Sequence, residues 1–508
     1  MGRGLAARPG VLATIRAAAL YGVDACPVQV EVDVSFGMPM FTMVGLPDAS
    51  VRESRDRVRA AIKNSGFEFP PHRITVNLAP ADVRKAGAAF DLPIALGILA
   101  AQGVVAPDTL SDTLVLGEVS LDGSIQPTRG VLPIVAAARR WGVRFVLLPA
   151  ANANEAAVVM EHGLRPVSCL AQAVEAVRDP GTALSRLAPL PSVDVASVAD
   201  FSDVVGQPLA RRAIEIAAAG GHNLLLVGPP GSGKTMMARR MAGVLPPMTF
   251  DEAVESTAVH SVAGLLGSNV GLVPQRPFRA PHHTISAAAL AGGGSIPRPG
   301  EVSLAHNGVL FLDEMLEFPR HVLDVLRQPL EEGVVTIARA ARTALFPARF
   351  VLVGASNPCP CGFAGDPVRT CRCTPQQVSQ YAGRLSGPLR DRFDLTVEVP
   401  RIASDLLGHA VNAESSAAIR ARVVRAREHQ HGRQNGVVNA SLAGAQLRHW
   451  CALDAESLIL LRAAADRLGM SARGFDRVRR VARTIADLAN EHVVTAAQIS
   501  EALQFRGP

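Results

Sequence analysis

The stretch of residues 223–235, NLLLVGPPGSGKT, restricts the fold of this chain more than any other feature of its sequence. It begins with an apolar run predicted to be a buried strand, continues with glycine, four residues, glycine, lysine and threonine, and precedes a predicted helix. In such a strand–loop–helix unit, backbone N–H groups turn inward on phosphate oxygens and the helix N-terminus adds positive potential. A glycine-rich turn without a ligand is the alternative, but the complete motif in this context favours a bound nucleoside triphosphate.

The residue types of this loop predict individual roles. Lys234, one of only three lysines in the chain, is expected to reach the β and γ phosphates, and the Thr235 hydroxyl is expected to bind Mg²⁺. ATP and Mg²⁺ are therefore the predicted cofactors. The predicted nucleotide-binding residues are Gly228, Pro229, Pro230, Gly231, Ser232, Gly233, Lys234 and Thr235.

Two more predicted strands end in polar residues that suit phosphate chemistry. The apolar run Val309–Leu312 is followed by Asp313 and Glu314, and a second run, ARFVLVGAS, is followed by Asn357. Because ligands collect at the carboxyl ends of strands in α/β sheets, Asp313 is expected to assist the Mg²⁺ ion, Glu314 to polarise the attacking water and Asn357 to position that water. An acidic pair after a strand is common and an asparagine before proline is usually a turn residue, so the prediction depends on the phosphate loop that accompanies them.

These motifs, in this order and at this spacing, resemble those of AAA+ ATPases. Companion stretches, among them RPFRAPHHTISAAALAGGG, PRPGEVSLAHNGVLFLDEM, LRQPLEEGVVTIARA and NPCPCGF, resemble the YifB/ComM family of Mg-chelatase-like AAA+ ATPases. The resemblance covers nearly the whole chain. It implies a multidomain α/β protein whose P-loop AAA+ core contains a parallel sheet, and whose subunits form a homo-oligomeric ring, expected to be a hexamer.

The resemblance also implies roles for two arginines. Arg392 in LRDRFDL resembles an arginine finger that reaches the γ-phosphate bound by a neighbouring subunit, with Arg390 as the competing candidate. Arg473 in SARGFDRVRR resembles the sensor-2 arginine of a helical lid, which is expected to face the nucleotide of its own subunit. A surface salt bridge is the alternative for each arginine in a chain so rich in this residue.

The chain is too long for one ordinary core, and its patterns predict several domains. Residues 1–178 alternate between strand and helix patterns, and 179–199 are a predicted linker rich in proline and small residues. Residues 200–400 are the predicted AAA+ ATPase core with hairpin inserts and a four-cysteine loop, and 401–508 are a predicted helical AAA+ lid.

The predicted N-terminal domain resembles the proteolytic domain of Lon, with its ribosomal S5-like α+β fold, in the stretches GEVSLDGSIQPTRGVLP and KAGAAFDLPIALGILAA. Cleavage of the Lon type needs a serine nucleophile and a lysine base. Ala88 and Ala89 occupy the neighbourhood of the nucleophile, and the chain has Gly130, Val131 and Leu132 where the lysine should follow the glycine turn. The domain is therefore predicted to lack the catalytic dyad and to serve as a scaffold or a binding surface.

Four of the seven cysteines lie within fifteen residues, as two Cys-x-Cys motifs separated by nine residues. Four thiolates at this spacing could close a tetrahedral Zn²⁺ site, although Cys-x-Cys is less typical of zinc than Cys-x-x-Cys. An iron–sulfur or redox role and plain thiols are the alternatives. A metal here would brace a turn-rich loop beside the nucleotide site. The candidate ligands are Cys359, Cys361, Cys371 and Cys373.

Two predicted hairpin inserts and the positive charge of the C-terminal part give indications about the binding partner. ISAAALAGGGSIPRPGEVS is the first insert, and VVTIARAARTALFPARF is the second, with Arg339 and Arg342 near its tip as candidate nucleic-acid contacts. His282 and His283 are predicted to be ordinary turn residues. The chain from residue 411 onward contains 14 arginines against nine acidic residues, which suits a polyanion such as DNA and equally a solvated helical face.

Three functions are open at this point. The leading hypothesis, implied by the resemblance, is an ATP-driven ring motor on single-stranded or branched DNA, acting as a branch-migration motor or helicase in homologous recombination or natural transformation. The alternatives are a Mg-chelatase-like remodelling ATPase acting on a protein partner and an ATP-dependent switch or adaptor. The sequence shows no clean secretory signal and no apolar run long enough to span a membrane, so a cytoplasmic protein without a membrane partner is predicted.

Overall fold

The computed structural model describes residues 12–83, 85, 87–179, 199–267, 270–294, 297–338, 343–402 and 413–506. The predicted linker lies outside the described residues except at its two ends, and so do Arg339 and Arg342 of the second insert. The described part is mixed α/β, with one mixed sheet in its N-terminal half and one parallel sheet in its central part.

The N-terminal half is built on a mixed sheet. Its strands and the short hairpin beside it are β1 (Ala13–Tyr21), β2 (Asp24–Ser35), β3 (Met40–Val44), β4 (Arg73–Ala79), β5 (Thr113–Val115), β6 (Glu118–Val119), β7 (Ile125–Gln126), β8 (Phe145–Pro149) and β9 (Leu164–Val167). Among the described residues the sheet order is β3-β4-β2-β1-β5-β8-β9. Strand β1 pairs antiparallel with β2 and parallel with β5, so it joins the antiparallel and the parallel parts of the sheet.

The helices of this half cover the sheet as the sequence patterns predict. They are α1 (Ala49–Asn64), α2 (Asp91–Ala101), α3 (Val131–Arg140), α4 (Ala153–Ala157) and α5 (Leu170–Arg178). Helix α1 is amphipathic, buries Val51, Val58 and Ile62 on one face, and begins after Asp48, whose carboxylate accepts a hydrogen bond from the Val51 N–H at 2.9 Å. Strands β6 and β7, between Glu118 and Gln126, form an antiparallel hairpin.

The central part contains a parallel sheet whose strands are β10 (Leu224–Val227), β11 (Phe278–Arg279), β14 (Val309–Leu312), β17 (Val351–Ser356) and β18 (Leu395–Glu398). Their order within the described chain is β11-β14-β17-β10-β18. The surrounding helices are α6 (Pro208–Gly220), α7 (Lys234–Val244), α8 (Phe250–Ala263), α9 (Ala287–Ala291), α10 (Glu301–Leu304), α11 (Arg320–Asp324), α12 (Arg327–Glu332), α13 (Pro375–Ala382) and α14 (Gly387–Arg390).

Both predicted inserts contain hairpins. The second insert is the antiparallel pair β15 (Val334–Ala338) and β16 (Thr343–Pro347), as predicted. The first insert is only partly a hairpin, because its alanine-rich start forms helix α9, and only β12 (Gly292–Gly293) and β13 (Arg298–Pro299) pair. Alanine has the highest helix propensity, which accounts for the helical turn at this point.

The C-terminal part is helical where it is described. Its helices are α15 (Ser416–Gln434), α16 (Gly444–Trp450), α17 (Ala455–Leu468), α18 (Ala472–Leu488) and α19 (Ala496–Gln504). Helix α18 buries Val478, Val481 and Ile485 in the same hydrophobic core as residues of α6 and β10. Within the described chain, no helix combines the length and the apolar character that a membrane crossing requires.

The N-terminal half packs on the central part at two places. At the first place the Ser261 hydroxyl of α8 donates to the buried Glu155 carboxylate, and the Gly130 N–H donates to the Ser261 carbonyl at 3.2 Å. At the second place the turn between β1 and β2 lies so close to β16 that a Cβ at Gly22 would sit 2.8 Å from the Leu345 carbonyl oxygen. The N-terminal half therefore contacts both an insert hairpin and the helix that follows the nucleotide-site helix α7.

Candidate nucleotide site

The carboxyl edge of the parallel sheet collects the polar residues that the sequence analysis selected. Strand β10 lies beside β17, with Val227 in register with Ser356, and β14 lies on the other side of β17. All three strands run in the same direction. The phosphate loop, the pair Asp313 and Glu314, and Asn357 therefore leave the sheet at one edge, as predicted for a ligand site.

The phosphate loop has a backbone that requires glycine at three positions. Gly231 and Gly233 have φ angles of 77° and 93°, in the left-handed region that favours glycine. A Cβ at Gly228 would lie 2.1 Å from the Val399 carbonyl oxygen, so a side chain there would force the loop away from the sheet. Helix α7 starts at Lys234 directly after the loop, which turns its N-terminal N–H groups toward the same space.

Lys234 is buried against the loop that precedes it. Its Nζ donates to the carbonyls of Gly228 at 2.6 Å and Pro229 at 2.9 Å, and to Oδ1 of Asn357 at 3.3 Å. Burial lowers the pKa of Lys234, and the nearby acidic pair opposes this shift. The lysine thus stands as a compact cation between the loop and the end of β17.

Thr235 and Asp313 form the second contact across this edge. The Thr235 hydroxyl donates to Oδ2 of Asp313 at 2.7 Å, and the other carboxylate oxygen accepts the backbone N–H of Glu314 at 2.9 Å. A hydroxyl and a carboxylate oxygen at this separation are the hard ligands that Mg²⁺ prefers. The donor set therefore fits the predicted metal.

Glu314 has a neighbour that the sequence analysis did not assign to the site. His283 Nδ1 lies 3.3 Å from Oε2 of Glu314, and the His283 ring packs on Phe318. His282, in contrast, contacts the hydroxyl of Thr284 at 3.0 Å, as expected of a turn residue. The prediction of an ordinary turn is therefore incomplete for His283. His283 follows β11, a strand of only two residues, so no apolar run in the sequence indicated its place beside Glu314.

Arg392 lies at the opposite, amino edge of the sheet. Its carbonyl accepts a hydrogen bond at 2.9 Å from the side chain of Asn223, which directly precedes β10. The four residues of β10 separate this edge from the phosphate loop by about 13 Å. Its guanidinium forms an ion pair with Glu331 of α12. Arg390, the competing candidate, is exposed and donates to the carbonyl of Ala382.

Arg473 lies near Arg392. The first turns of α18 pack on the segment before β18, where Arg477 donates to the Asp391 carbonyl and approaches Asp394 at 3.9 Å. Burial lowers the pKa of Arg392, and Arg473 is the neighbouring charge that lowers it most. Helix α18 is seated at the amino edge of the sheet, whereas the phosphate loop lies at the carboxyl edge. That Arg473 faces the nucleotide of its own subunit stays a prediction.

Three family models match this chain. The model described as "Magnesium chelatase, subunit ChlI" matches residues 200–407, "Subunit ChlI of Mg-chelatase" matches 30–152, and "Magnesium chelatase, subunit ChlI C-terminal" matches 413–506. The chain is 44% identical over 497 residues to the uncharacterized protein YifB of Escherichia coli, with 97% of each chain covered. It is also 44% identical over 506 residues to the competence protein ComM of Haemophilus influenzae, again with 97% of each covered.

The chain belongs to the YifB/ComM family of Mg-chelatase-like proteins. A more distant relative is the magnesium-chelatase 38 kDa subunit of Rhodobacter capsulatus, which is 30% identical over 238 residues, or 43% of this chain and 61% of that protein. Membership in this family confirms the resemblance found in the sequence and suggests ATPase activity of the AAA+ type.

This member of the YifB/ComM family brings its four clustered cysteines together. Their four Sγ atoms all lie within 4.8 Å of one another. Three of the sulfur pairs are 3.4 to 3.7 Å apart. Backbone N–H groups of Arg372 and Phe363 hydrogen-bond to Cys361 and lower the pKa of its thiol to about 6. The cluster is therefore a candidate metal centre beside the end of β17.

The N-terminal half contains a second buried lysine, Lys85. The Nζ of Lys85 donates to the Pro80 carbonyl, and burial lowers the pKa of this lysine. Leu132, at the position expected for a Lon-type lysine, is buried in α3 and its N–H donates to Glu155. The prediction that this half lacks a peptidase dyad stays a prediction.

Proposed function

We propose that this chain is a Mg²⁺-dependent AAA+ ATPase. The observation that carries the proposal is the pair of contacts that joins Thr235 to Asp313 and Lys234 to Asn357 across three neighbouring strand ends. These are the lysine, hydroxyl, carboxylate and amide that binding and hydrolysis of a nucleoside triphosphate require. We expect residues 228–235 to bind the phosphates of ATP.

The proposed chemistry divides among five side chains. Lys234 would exchange its carbonyl partners for the β and γ phosphates, and Thr235 and Asp313 would hold Mg²⁺, which neutralises phosphate charge when bound. Glu314 would accept the proton of the attacking water, and Asn357 would orient that water. The exposed Glu314 carboxylate, 56% accessible, leaves room for a water molecule in front of it.

The remaining catalytic groups would come from a neighbouring subunit. Arg392 is too far from its own phosphate loop to reach it, so we propose that it acts as an arginine finger on the ATP of the next subunit. Arg473 lies near it, and we propose that both arginines act in trans. Such a site requires a homo-oligomer, and the resemblance to AAA+ proteins favours a hexameric ring.

We propose that the partner of this ring is single-stranded or branched DNA. The ring would act on this DNA in the cytoplasm, as a branch-migration motor or a helicase. The support is the excess of arginine over acidic residues from 411 onward and the printed name of ComM, a competence protein. The alternative is a Mg-chelatase-like remodelling ATPase on a protein partner, which the similarity to the magnesium-chelatase 38 kDa subunit supports.

The domain assignment is part of this proposal. We infer that residues 1–178 form a Lon-like domain without protease activity, that 179–199 link it to an ATPase core at 200–400, and that 401–508 form the AAA+ lid. Two family models, at 200–407 and 413–506, support boundaries close to those of the core and the lid, and the third, at 30–152, lies within 1–178. We further propose that the four clustered cysteines hold a structural Zn²⁺ ion.

The ATPase rate of the purified full chain, measured with and without single-stranded and branched DNA, tests the proposal. We expect DNA to stimulate ATP hydrolysis and DNA binding to weaken with salt. The Glu314→Gln variant should bind ATP and lose hydrolysis by at least roughly a hundredfold, because it cannot accept the proton of water. A protein that hydrolyses ATP but neither binds DNA nor responds to it would favour the remodelling alternative, and normal turnover by the variant would remove Glu314 from the mechanism.

A further inference from the structure

We propose that a Zn²⁺ ion in the cysteine loop, residues 359–373, holds the phosphate loop in its binding conformation through a direct contact between Gly362 and Pro230. The inference rests on the proposed ATP binding and adds a structural requirement for it. The nucleotide site would then depend on an ion that never touches the nucleotide.

The sulfur atoms already have the spacing of a four-thiolate site. Cys359 Sγ lies 3.4 Å from the Sγ of Cys361 and 3.7 Å from that of Cys371, and the last two lie 3.6 Å apart. Sulfur atoms bound at about 2.3 Å to a tetrahedral zinc ion are about 3.8 Å apart. The sulfurs are thus close to the arrangement that zinc requires, without a movement of the backbone.

Backbone N–H groups surround the sulfurs as they do in built thiolate sites. The Ala364 N–H points to Cys359 Sγ at 3.3 Å, and the Cys373 N–H points to Cys371 Sγ at 3.4 Å. Such outer hydrogen bonds orient metal ligands and compensate the negative charge of the thiolates. Together they indicate a loop folded around the sulfur cluster.

The cysteine loop has little other means of keeping its shape. Cys359 is its buried apolar residue, whereas Val368 is 72% exposed. The Asp366 carboxylate accepts the N–H groups of Val368 and Arg369 and lies 3.5 Å from Arg401, and the Arg369 guanidinium lies over the Phe363 ring, so these contacts shape the turn at 363–369 and attach it to Arg401 outside the loop. Because a loop of this kind buries little apolar surface, a metal ion is the natural source of its stability.

The loop touches the phosphate loop directly. Gly362 has a φ of 84°, and a Cβ there would lie 2.6 Å from Cδ and 2.8 Å from Cγ of Pro230. The same Cβ would lie 3.9 Å from the side chain of Asn357, which contacts Lys234. The cysteine loop, held by its ion, therefore supports both the tip of the phosphate loop and Asn357, which contacts Lys234. Without the ion, the cysteine loop would no longer hold either of them in position.

The loop contains a matched pair of glycines for a test. Gly365 has a φ of 77°, close to that of Gly362, but a Cβ there would have no atom within 4 Å. Gly362→Ala and Gly365→Ala impose similar backbone strain, and only the first pushes on Pro230. We expect both full-length variants to retain their zinc, and only Gly362→Ala to weaken binding of a fluorescent ATP analogue, by roughly tenfold. Equal affinities for the two variants would overturn the proposed contact.

A second arm removes the ion. Zinc content by mass spectrometry should be about one ion per chain in the wild type and near zero in the Cys371→Ser/Cys373→Ser variant. That variant should bind the ATP analogue at least roughly tenfold more weakly, while Cys169→Ser, outside the cluster, should change neither quantity. Less than about a tenth of a zinc per chain in the wild type, iron in its place, or unchanged ATP affinity after zinc loss would overturn the inference. A zinc-loaded wild type that binds no ATP would instead refute the proposed function.

Discussion

Glu314 is held at the nucleotide site by its backbone as much as by its neighbours. Its φ of 49° places it in the left-handed region, which a non-glycine residue adopts rarely. Outliers of this kind occur at functional sites, where the surrounding structure enforces them. Here the N–H of Glu314 is held by Asp313, and its carboxylate lies beside His283. We therefore infer that the histidine helps to orient the proposed general base.

Replacement of His283 by alanine should lower the ATPase kcat by roughly tenfold, because the carboxylate of Glu314 loses a partner. The affinity for ATP should stay nearly unchanged, because the residues that contact the phosphates are not altered. His282→Ala is the matched control, since the His282 ring contacts Thr284 and the His283 ring but not the acidic pair, and its loss leaves both partners of the His283–Glu314 pair in place. Steady-state kinetics and binding of a fluorescent ATP analogue measure both quantities. Similar kcat values for the two variants would show that His283 does not act through Glu314.

At the scale of single residues, much of the site follows from one rule. The phosphate loop, the acidic pair and Asn357 all follow apolar strands, so the tendency of ligands to collect at carboxyl ends predicts their neighbourhood. This rule did not predict His283, because the strand before it, β11, has only two residues and gives no apolar run to detect. A second histidine and a proline nearby made a turn the simpler interpretation.

Helix α4 of the N-terminal half contains a buried acid, Glu155, at the contact with the central part. Glu155 accepts the Leu132 N–H at 2.8 Å, the Ser261 hydroxyl and the side chain of Asn152. Burial raises the pKa of Glu155, and these hydrogen bonds oppose the shift. The carboxylate thus connects α3 of the N-terminal half to α8 of the central part, and its ionisation carries an energetic cost.

The energetic cost of ionising Glu155 predicts that the stability of the protein depends on pH. A carboxyl group whose folded pKa is raised binds more protons in the folded state, so it lowers the free energy of unfolding as the pH rises from its unfolded pKa, about 4.3, to its folded pKa. Chemical denaturation across this range should show the decline in the wild type and a smaller one in Glu155→Gln. The exposed Glu161→Gln variant should behave as the wild type does. A decline of equal size in both variants would show that Glu155 ionises without penalty.

The conformation and placement of some helices and strands were harder to predict than the site residues, because contacts between residues distant in sequence determine them. Strand β1 is central in its sheet, yet its sequence ATIRAAALY is alanine-rich and has no strong strand propensity. Its pairing with β2 and β5 determines its conformation. In the same way, the helical pattern of α18 was evident, but the edge of the sheet on which it packs depends on contacts such as that of Arg477 with Asp391, which no local pattern records.

At the scale of the whole molecule, the proposed catalytic groups lie on two opposite edges of one sheet. The carboxyl edge offers Lys234, Asp313 and Glu314, and the amino edge offers Arg392 and Arg473. Within one chain, about 13 Å of strand separates the two edges. We therefore expect each complete site to form between two subunits, with ATP hydrolysis dependent on assembly.

Subunit mixing tests this claim most directly. Lys234→Ala lacks a functional phosphate loop but retains both arginines, whereas Arg392→Ala and Arg473→Ala retain the loop. Each variant alone should be inactive. In random equal mixtures of Lys234→Ala with either arginine variant, about one quarter of the interfaces join an intact loop to intact arginines, so ATPase activity should return to about that fraction.

A mixture of Arg392→Ala with Arg473→Ala is the matched control and should stay inactive, because no subunit then offers both arginines. The decisive quantity is the ATPase rate of Lys234→Ala mixed with Arg473→Ala. Recovery to about one quarter of the wild-type rate is the result we predict for arginines that act in trans. No recovery in that mixture, while Lys234→Ala with Arg392→Ala recovers, would mean that Arg473 serves its own subunit, and no recovery in either would contradict a shared site.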